Sequence, residues 1–427
     1  MILRISNTAT RGAIVAIALV TLLWLSFYGI RAARATHYRE SGRASGIERA
    51  AKLEPENARN WYFLGLSRQY DLEQQDSPGA IAAYNRALSI YGNSADTLME
   101  LGTAYELHGD FAAARAAFTK AKAVYPASAD VSWRYGNFLL RQGNLPEAYI
   151  EIRRAVLADP NRAPEAFSRC YRANRDEDLI LNEVLPPSTT GYVEVIRDIA
   201  DTQTEIAVKV WKRLAALQPR LVVRDVYPLV NALLQKHDYA QARRVWDEGV
   251  NFTDAQPAAS DNGAALWDGG FESGLNGYDF AWHFDAMRDG VQTSFDSREK
   301  HSGARSLRLD FGGKRNVQLE NPCTIAVVEP RETYLLSGWI KTDKLTSEEG
   351  VKLRISADGS ELSKTQAVLG STPWSEVQTK WTAGSGARIA QVCVSREPSE
   401  RTEGRIRGTA WVDDVALTRV AQGRPKQ

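Results

Sequence analysis

Paired carboxylates are the first candidates for chemistry in this chain. Asp413-Asp414 and Glu348-Glu349 each place two acids side by side, and two carboxyl groups can carry out acid–base catalysis on a glycosidic bond. Neighbouring residues of a strand point to opposite faces, however, so such pairs are more typical of a solvated surface. The five histidines are scattered, and the chain has no phosphate-binding Gly-rich loop, no HExxH and no GxSxG motif. We therefore predict that the protein is not an enzyme, with a glycan-active enzyme as an alternative.

Aromatic residues of the C-terminal half could bind sugar. Tyr278 and Trp282 belong to an aromatic-rich run, and Trp374 precedes a later strand-like segment. Flat apolar rings flanked by polar groups suit the face of a pyranose ring. Alternation along the run 278–284 also places its rings on one face, as in a core strand, so a core role is the competing interpretation. Three other tryptophans in regular strand-like segments are expected in the core: Trp339, Trp381 and Trp411.

The three cysteines allow at most one intramolecular disulfide. Cys170, Cys323 and Cys393 lie too far apart for a CxxC metal motif. Cys323 and Cys393 are the candidate pair because both fall in strand-like segments of the same region. Two buried free thiols are an equally acceptable interpretation.

Length and charge limit the classes of protein that need consideration. A chain of 427 residues exceeds what one core usually organises and indicates two or three domains. The formal net charge of +1 gives no basic surplus for nucleic-acid binding. We predict that the protein does not bind nucleic acid.

The N-terminal segment predicts a membrane anchor. Residues 12–30 contain no charged side chain, and about 19 residues at about 1.5 Å each nearly span a bilayer core. A cleaved signal peptide is the alternative, because Ala33-Arg34-Ala35 has the small residues of a cleavage site. We expect residues 1–31 to form a tail and one transmembrane helix in a bacterial inner membrane. The soluble domains are expected in the periplasm, although the arginines that follow the span argue for the cytoplasm.

A repeat with a period of about 34 residues follows the anchor. Gly102, Ala114, Ala121 and Pro126 recur as Gly136, Ala148, Ala155 and Pro160, and this period is typical of stacked helical hairpins. With Leu98, Leu101, Tyr105 and Phe118, these residues resemble the tetratricopeptide repeat (TPR) family. We expect a TPR-like α-solenoid over residues 32–252, with its clearest repeats at 58–160 and degenerate ones at 161–252.

The resemblance implies a groove that binds a protein partner. Aromatic and arginine side chains supply most hot spots of protein recognition. Superposition of the TPR pattern places ten residues on the inner face of the first helices: Arg59, Tyr62, Gln69, Tyr70, Met99, Thr103, Glu106, Trp133, Asn137 and Arg141.

The hydrophobic period changes to two after residue 262. Residues 253–262 are rich in Asp, Ala, Pro, Ser and Asn and are predicted to be a linker. Alternating segments such as 306–311 and 351–355 then predict a β-sandwich or jelly roll over 263–420. Residues 421–427 are predicted to be a disordered tail.

Four segments of this region resemble jelly-roll carbohydrate-binding modules: 267–274, 301–307, 334–340 and 410–417. The resemblance implies a possible glycan ligand for the domain. It also implies a structural calcium ion held by Glu272 and Asp414, whose hard oxygen ligands suit that ion. A charged surface pair is the alternative for these two acids, and no other cofactor is expected.

The predicted fold class is multidomain, with one transmembrane helix, an all-α TPR solenoid and an all-β jelly-roll sandwich. The predicted function is a membrane-anchored scaffold that binds a protein partner and presents the β domain to glycan or another envelope component. Such combinations suggest exopolysaccharide or envelope assembly by analogy. In the alternative, the β domain contacts protein and binds no sugar.

Overall fold

The computed structural model describes residues 8–71, 75–255, 265–401 and 404–420. Helices fill its N-terminal part and antiparallel strands its C-terminal part, so the predicted order of an all-α and an all-β region is confirmed. The predicted tail 421–427 and residues 256–262 of the predicted linker lie outside the described residues. The chain divides into two compact units, Met1–Gly191 and Tyr192–Gln427.

The α-helices of the described residues number fourteen. They are α1 (Thr8–Glu40), α2 (Ala44–Leu53), α3 (Ala58–Gln69), α4 (Ser77–Ile90), α5 (Ala95–His108), α6 (Phe111–Val124), α7 (Ala129–Arg141), α8 (Leu145–Ala158), α9 (Ala163–Ala173), α10 (Glu177–Glu183), α11 (Thr189–Ile199), α12 (Thr204–Ala216), α13 (Val223–Gln235) and α14 (Tyr239–Val250).

Side-chain caps begin the helices of the clearest repeats. The side chains of Ser94, Asp110 and Ser128 accept hydrogen bonds from backbone N–H groups three residues ahead of each. These bonds satisfy donors that the first turn of a helix leaves free. Because only short turns separate the helices, α5 with α6 and α7 with α8 form two similar antiparallel hairpins.

Small residues allow the two helices of each hairpin to approach closely. A Cβ atom added to Gly102 would lie 2.8 Å from the Phe118 ring, and one added to Gly136 would lie 2.7 Å from Ile152 Cγ1. Phe118 in turn packs against Phe138 of the next hairpin, with ring centroids 5.2 Å apart. The glycine therefore allows the two helices of one hairpin to pack closely. The aromatic residue packs that hairpin against the next one.

Helix α1 runs without a break from the apolar segment into the repeats. It is the one helix of the described residues that is long and apolar enough to cross a membrane. Its C-terminal part belongs to the folded helices, since Ala35 is fully buried and Arg39 Nη1 donates to Asn60 Oδ1 at 2.8 Å.

Ten strands form the two sheets of the described β region. They are β1 (Met287–Arg288), β2 (Val291–Asp296), β3 (Ser306–Gly312), β4 (Cys323–Val327), β5 (Thr333–Asp343), β6 (Lys352–Ser356), β7 (Ser363–Lys364), β8 (Thr372–Thr382), β9 (Ile389–Ser395) and β10 (Arg407–Arg419). One sheet has the order β1-β2-β3-β10-β5-β8 and the other β4-β9-β6-β7, with antiparallel neighbours.

The core of the sandwich lies between these sheets. Alternate residues such as Leu309, Ile340 and Val412 point inward from the six-stranded sheet, and Leu353 and Val392 point inward from the other. Period-two alternation follows from the pleat of a strand, which sends successive side chains to opposite faces.

The last two helices pack directly against the β region within the second unit. Trp246 of α14 lies with its ring centroid 5.0 Å from that of Trp267, 5.9 Å from Tyr278 and 6.1 Å from Phe280. The Arg243 guanidinium donates to the backbone oxygen of Ala265. The sequence placed this helix at the end of the solenoid; in the structure it belongs to the same compact unit as the sandwich.

Candidate functional site

A pocket on the first helices of the repeats gathers aromatic and arginine side chains. It has a volume of about 230 Å³ and is lined by Tyr70, Thr103, Phe118, Trp133, Arg134, Asn137, Arg141 and Arg169. Five of these residues were predicted for the groove from the sequence: Tyr70, Thr103, Trp133, Asn137 and Arg141.

Trp133 is held between two arginines. The guanidinium carbon of Arg162 lies 5.4 Å from the centroid of the Trp133 ring, and that of Arg169 lies 5.5 Å from it. Asn137 holds the Arg169 guanidinium in place beside this ring. Its Nδ2 donates to the backbone oxygen of Trp133 at 2.8 Å, and its Oδ1 accepts from Arg169 Nη1 at 3.1 Å. Cation–π contacts of this kind orient both the ring and the cations.

A buried carboxylate links Tyr70 to Arg134. Glu100 is only 5% exposed; its Oε2 accepts from the Tyr70 hydroxyl at 2.8 Å and its Oε1 from Arg134 Nη1 at 2.7 Å. Burial, together with the hydrogen bond to Glu100, raises the pKa of Tyr70 to about 12. The tyrosine therefore stays a neutral donor, and both carboxylate oxygens are satisfied inside the fold.

A second ion pair joins the same helices near the outer end of the pocket. Arg141 Nε and Nη2 donate to the two oxygens of Glu106, each at 2.7 Å. This bidentate geometry is the stronger kind of ion pair. Half of the Arg141 side chain remains exposed. The pocket therefore presents guanidinium edges and aromatic rings, which suit a peptide with acidic or carbonyl acceptors and an apolar side chain.

Two other predicted groove residues line a different pocket. Arg59 and Tyr62 border a space of about 480 Å³ between the start of α3, the end of α4 and the start of α5. Burial raises the pKa of Tyr62. The predicted residues thus lie in two pockets of the same repeats.

Gln69 and Met99 correct the predicted groove. Gln69 is fully buried and accepts the Tyr84 hydroxyl hydrogen bond at 2.8 Å, because the end of α3 turns toward α4. Met99 is 5% exposed and packs in the core around Phe118, because α5 is covered by hairpins on both sides. Neither side chain is available to a partner.

The predicted sugar-binding rings do not form one platform. Trp282 is 1% exposed, and its Nε1 donates to the backbone oxygen of Asp268 at 2.7 Å, so its prediction as a sugar contact was wrong. Tyr278 is covered by Trp246 and by Tyr227, whose ring centroid lies 5.0 Å away. Trp374 is half-buried on the outer face of the six-stranded sheet, and its Nε1 donates to Glu299 Oε1 at 3.2 Å.

The outer face also carries an aromatic stack that the sequence did not predict. His301 stacks on Trp339 with centroids 3.9 Å apart and meets Trp374 edge-on at 5.7 Å. Trp339 was expected in the core; it faces outward because Gly338 and Ile340 supply the inward positions of β5. The alternation along β5 shows that Trp339 lies on the face opposite Gly338 and Ile340. Because both faces of β5 carry apolar residues, the sequence alone did not show which face is the inner one.

Asp296 holds the loop that supplies His301. Burial disfavours ionisation of Asp296, but the Trp411 Nε1–H and the backbone N–H groups of Arg298 and Glu299 outweigh it and lower its pKa to about 2. The Trp411 hydrogen bond measures 3.0 Å. The loop is therefore attached to β10 by an ionised carboxylate.

The acids proposed for calcium meet at one loop, residues 301–305. Glu272 Oε1 accepts from the Ala304 N–H at 2.8 Å, and Asp414 Oδ1 accepts from Ser302 Oγ at 2.7 Å. Carboxylate oxygens are the ligands that calcium prefers, so the donors fit the ion in kind. Among the described residues no group of three or more His, Cys, Asp or Glu side chains is placed to hold a metal ion.

The remaining predicted pair is joined covalently. Cys323 and Cys393 lie opposite each other on β4 and β9 and form a disulfide. Cys170 is buried on α9, and burial raises the pKa of its thiol to about 12.

Several pocket residues were missed from the sequence, although a signal existed for them. Arg134 and Arg169 follow their partners Glu100 and Asn137 by 34 and 32 residues. Polar pairs at one repeat length connect equivalent positions of neighbouring hairpins, so the spacing itself identifies them.

Family models match three parts of the chain. Tetratricopeptide repeat models match residues 69–124 and 107–168, and a carbohydrate binding domain model matches residues 263–400. None of the curated proteins compared matches the chain.

Solved structures are similar to each part. PilW, described as a type IV pilus biogenesis factor, is 19% identical over 52% of this chain and 91% of its own, with a TM-score of 0.28. YrrB, a TPR protein with an unusual peptide-binding site, is 16% identical over 49% and 93%, with a TM-score of 0.26. The xylan-binding CBM22-1 domain of Paenibacillus barcinonensis Xyn10C is 14% identical over 39% and 100%, with a TM-score of 0.26. At such identities the likeness concerns the fold alone. The chain thus contains tetratricopeptide repeats and a C-terminal β domain like that of carbohydrate-binding modules, after one apolar N-terminal helix.

Proposed function

We propose that the protein is a membrane-anchored adaptor whose repeats bind a peptide segment of a protein partner. The pocket around Trp133 carries this proposal, because it combines a partly buried tryptophan ring with three arginines that line it. Arg134 and Arg141 each keep part of their side chain exposed while an internal carboxylate fixes their position. Preorganised guanidinium groups of this kind bind acceptors with little further loss of side-chain entropy.

A peptide array tests this assignment. The full-length protein in detergent is applied to arrayed peptides that vary in acidic and aromatic content, beside Trp133→Ala and Arg141→Ala variants. We expect binding to acidic peptides with an apolar residue, and its loss in both variants. Leu107→Ala serves as the control, since Leu107 is exposed on α5 but does not line this pocket. Equal binding by all four proteins would refute the assignment.

The proposed role is binding rather than catalysis, because the acidic pairs are engaged in holding loops. Asp413 is fully buried, and its Oδ2 accepts from the His301 and Ser302 N–H groups. The Glu348 carboxylate accepts from Ser399 Oγ, and the Glu349 carboxylate lies 3.5 Å from Lys352 Nζ. Release of reducing sugar from a polysaccharide by the full chain, abolished in Asp414→Asn, would instead establish the enzyme alternative.

For the β domain we propose contact with glycan or another envelope component. The match of residues 263–400 to a carbohydrate binding domain supports this role. Of the three rings predicted for sugar, Trp374 is the one on the outer face of the sheet. A glycan array with the full-length protein should show binding that Trp374→Ala weakens. Absence of binding to every polysaccharide would favour a β domain that contacts only protein.

A structural calcium ion at Glu272 and Asp414 belongs to the same proposal. Its support is the convergence of these carboxylates on residues 301–305. Thermal unfolding of the β domain should move to higher temperature with calcium relative to chelator, and Glu272→Gln should remove that difference. Identical unfolding in calcium and in chelator would exclude the ion.

We further propose that α1 is an uncleaved anchor and that the folded part lies in the periplasm of a bacterium. Cleavage after Ala35 would cut a helix at a buried position. The Cys323–Cys393 disulfide supports an oxidising compartment. The purified protein should begin upstream of the apolar segment, and trypsin should digest the β domain in spheroplasts. A chain that begins at Thr36 would indicate a signal peptide, and a protected domain would reverse the orientation.

A role in envelope or exopolysaccharide assembly follows from these two proposed contacts. A protein held at the inner membrane that binds both a peptide and a polymer would keep the two together. Capture of partners with the full-length protein, compared with the Trp133→Ala variant, identifies the assembly involved.

A further inference from the structure

The turn after α1 directs α2 back toward the apolar segment. The apolar stretch ends at Ile30, α1 continues to Glu40, and Gly42 with a φ of 67° helps to reverse the chain. Helix α2 has 10 residues and therefore returns about 15 Å along α1. Its end at Leu53 thus lies near the level of Arg31, where the apolar stretch of α1 stops.

Later hairpins bring their second helices to the same edge. Arg86, near the end of α4, donates to Glu56 Oε1 in the turn after α2 at 2.9 Å. Arg162, after α8, pairs with Asp130 at the start of α7. Because antiparallel hairpins alternate in direction, α2, α4, α6 and α8 all end on this side. We call residues 53–57, 91–94, 125–128 and 157–160 the near edge.

Large apolar or aromatic side chains are exposed along the near edge in three successive hairpins. Tyr91, Tyr125 and Leu157 are 59%, 57% and 60% exposed. Cavities of about 480 and 320 Å³ lie beside Tyr91 and Leu157. Tyrosine is enriched where protein meets the lipid headgroups, since its ring is apolar and its hydroxyl is polar.

Charges of the near edge do not form a cationic surface. Its four segments contain no lysine or arginine. The arginines next to them are paired, Arg86 with Glu56 and Arg162 with Asp130 and Asp159. Attraction to anionic lipid is therefore not the main contribution to membrane binding at this edge. Burial of the exposed rings in the lipid–water interface supplies that contribution instead. Trp24, Phe27 and Tyr28 of α1 are exposed within the last two turns of the apolar stretch, so aromatic rings also lie on the membrane side of this level.

We propose that the near edge of the repeats lies against the headgroup layer of the membrane that holds α1. This inference rests on the proposed anchor. It places the hairpins side by side along the bilayer surface, with the ends of their second helices in contact with lipid. The opposite edge, which includes Leu107 and Phe111, then faces away from the membrane.

Site-directed fluorescence in vesicles tests the proposal. Single cysteines are introduced as Tyr91→Cys, Tyr125→Cys, Leu107→Cys and Leu19→Cys, and each is labelled with bimane in the full-length protein. Native cysteines should not react, because Cys170 is buried and the other two form a disulfide. The proteins are reconstituted in phosphatidylcholine vesicles without bromine, with bromine on the acyl chain near the headgroup, or with bromine near the end of the acyl chain. The last lipid reports on residue 19, which lies near the middle of the apolar segment. Bromine quenches only labels that lie close to it.

The expected result is quenching at residues 19, 91 and 125 and none at 107. Leu107 is a matched control, with 53% exposure on the opposite edge. Quenching at 19 alone would overturn the lipid contact and leave the anchor intact. Equal quenching at 107 and 125 would overturn the assignment of the near edge. Absence of quenching at 19 would remove the anchor itself and the inference with it. Two near-edge variants are used so that misfolding of one does not decide the outcome.

Discussion

Arg141 binds Glu106 through two hydrogen bonds of 2.7 Å although the residues are 35 positions apart in the chain. They occupy the outer ends of α7 and α5, the first helices of neighbouring hairpins. The pair therefore sets the spacing of two hairpins and presents the remaining guanidinium edge to the groove. A substitution of Arg141 or Glu106 therefore affects both the packing of the hairpins and the surface of the groove.

Replacement of Glu100 should destabilise the repeats. Glu100→Gln removes the negative charge and leaves one acceptor oxygen for two donors, Arg134 and Tyr70. We expect a loss of about 1–3 kcal/mol in the free energy of unfolding, because two hydrogen bonds to a charged acceptor become at most one to a neutral acceptor. Urea unfolding followed by circular dichroism measures the change. Glu48→Gln, in an exposed pair with Lys52, is the control and should change stability little; similar losses in both variants would contradict the argument.

Asp296 should make the β domain sensitive to acid. Its folded-state pKa of about 2 lies below the ordinary value, so the unfolded chain takes up the proton first as the pH falls. The stabilisation is therefore present above about pH 4 and is lost toward pH 2, with a magnitude of about 2 kcal/mol. Asp296→Asn should be less stable at pH 7 and equal to wild type near pH 2, as measured by unfolding at each pH. A constant difference across this range would exclude the carboxylate as the cause.

Thiol counting should separate the three cysteines. Native protein at pH 8 should react with no thiol reagent, because burial raises the pKa of Cys170 to about 12 and the other two are bonded to each other. Denaturant alone should release one reactive thiol, and denaturant with reductant should release three. Mass spectrometry of the alkylated protein counts them. Detection of all three after denaturation without reductant would show that Cys323 and Cys393 are free.

Trp246 should stabilise the β domain from outside the sandwich. Trp246→Ala removes the contacts with Trp267, Tyr278 and Phe280 and should cost about 3–5 kcal/mol. Trp246→Phe keeps most of this packing and deletes an indole N–H that has no hydrogen-bond partner, so it should cost much less. Hydrogen exchange of the β4 and β9 amides reports the effect. Unchanged exchange in Trp246→Ala would show that the helices and the sandwich are independent.

The sequence was most informative where a constraint is local. Gly102 and Phe118 predict the hairpin because they belong to one repeat and meet across its two helices. Trp133, Asn137 and Arg141 were identified for the same reason, since the repeat pattern assigns one face of each first helix.

Contacts between distant segments were beyond such patterns. Tyr278 has the residue type of a sugar-binding ring, but Trp246 covers it from a helix 32 residues earlier in the chain. Gln69 fits the groove by spacing, yet its side chain points inward and accepts from the Tyr84 hydroxyl. The placement of Trp339 depends on which face of β5 points into the core, and alternation alone does not determine that face. Each of these outcomes depends on which element packs on top of which.

The unbroken course of α1 has a mechanical consequence. A helix of 33 residues without a proline or a hinge passes rotation and tilt from one end to the other. The position and orientation of the pocket near Trp133 are then fixed by the position of α1. The pocket does not move freely, as it would at the end of a flexible linker. Insertion of a few glycines after Ile30 would make this connection flexible. Binding of a partner at the pocket would then no longer depend on the orientation of α1.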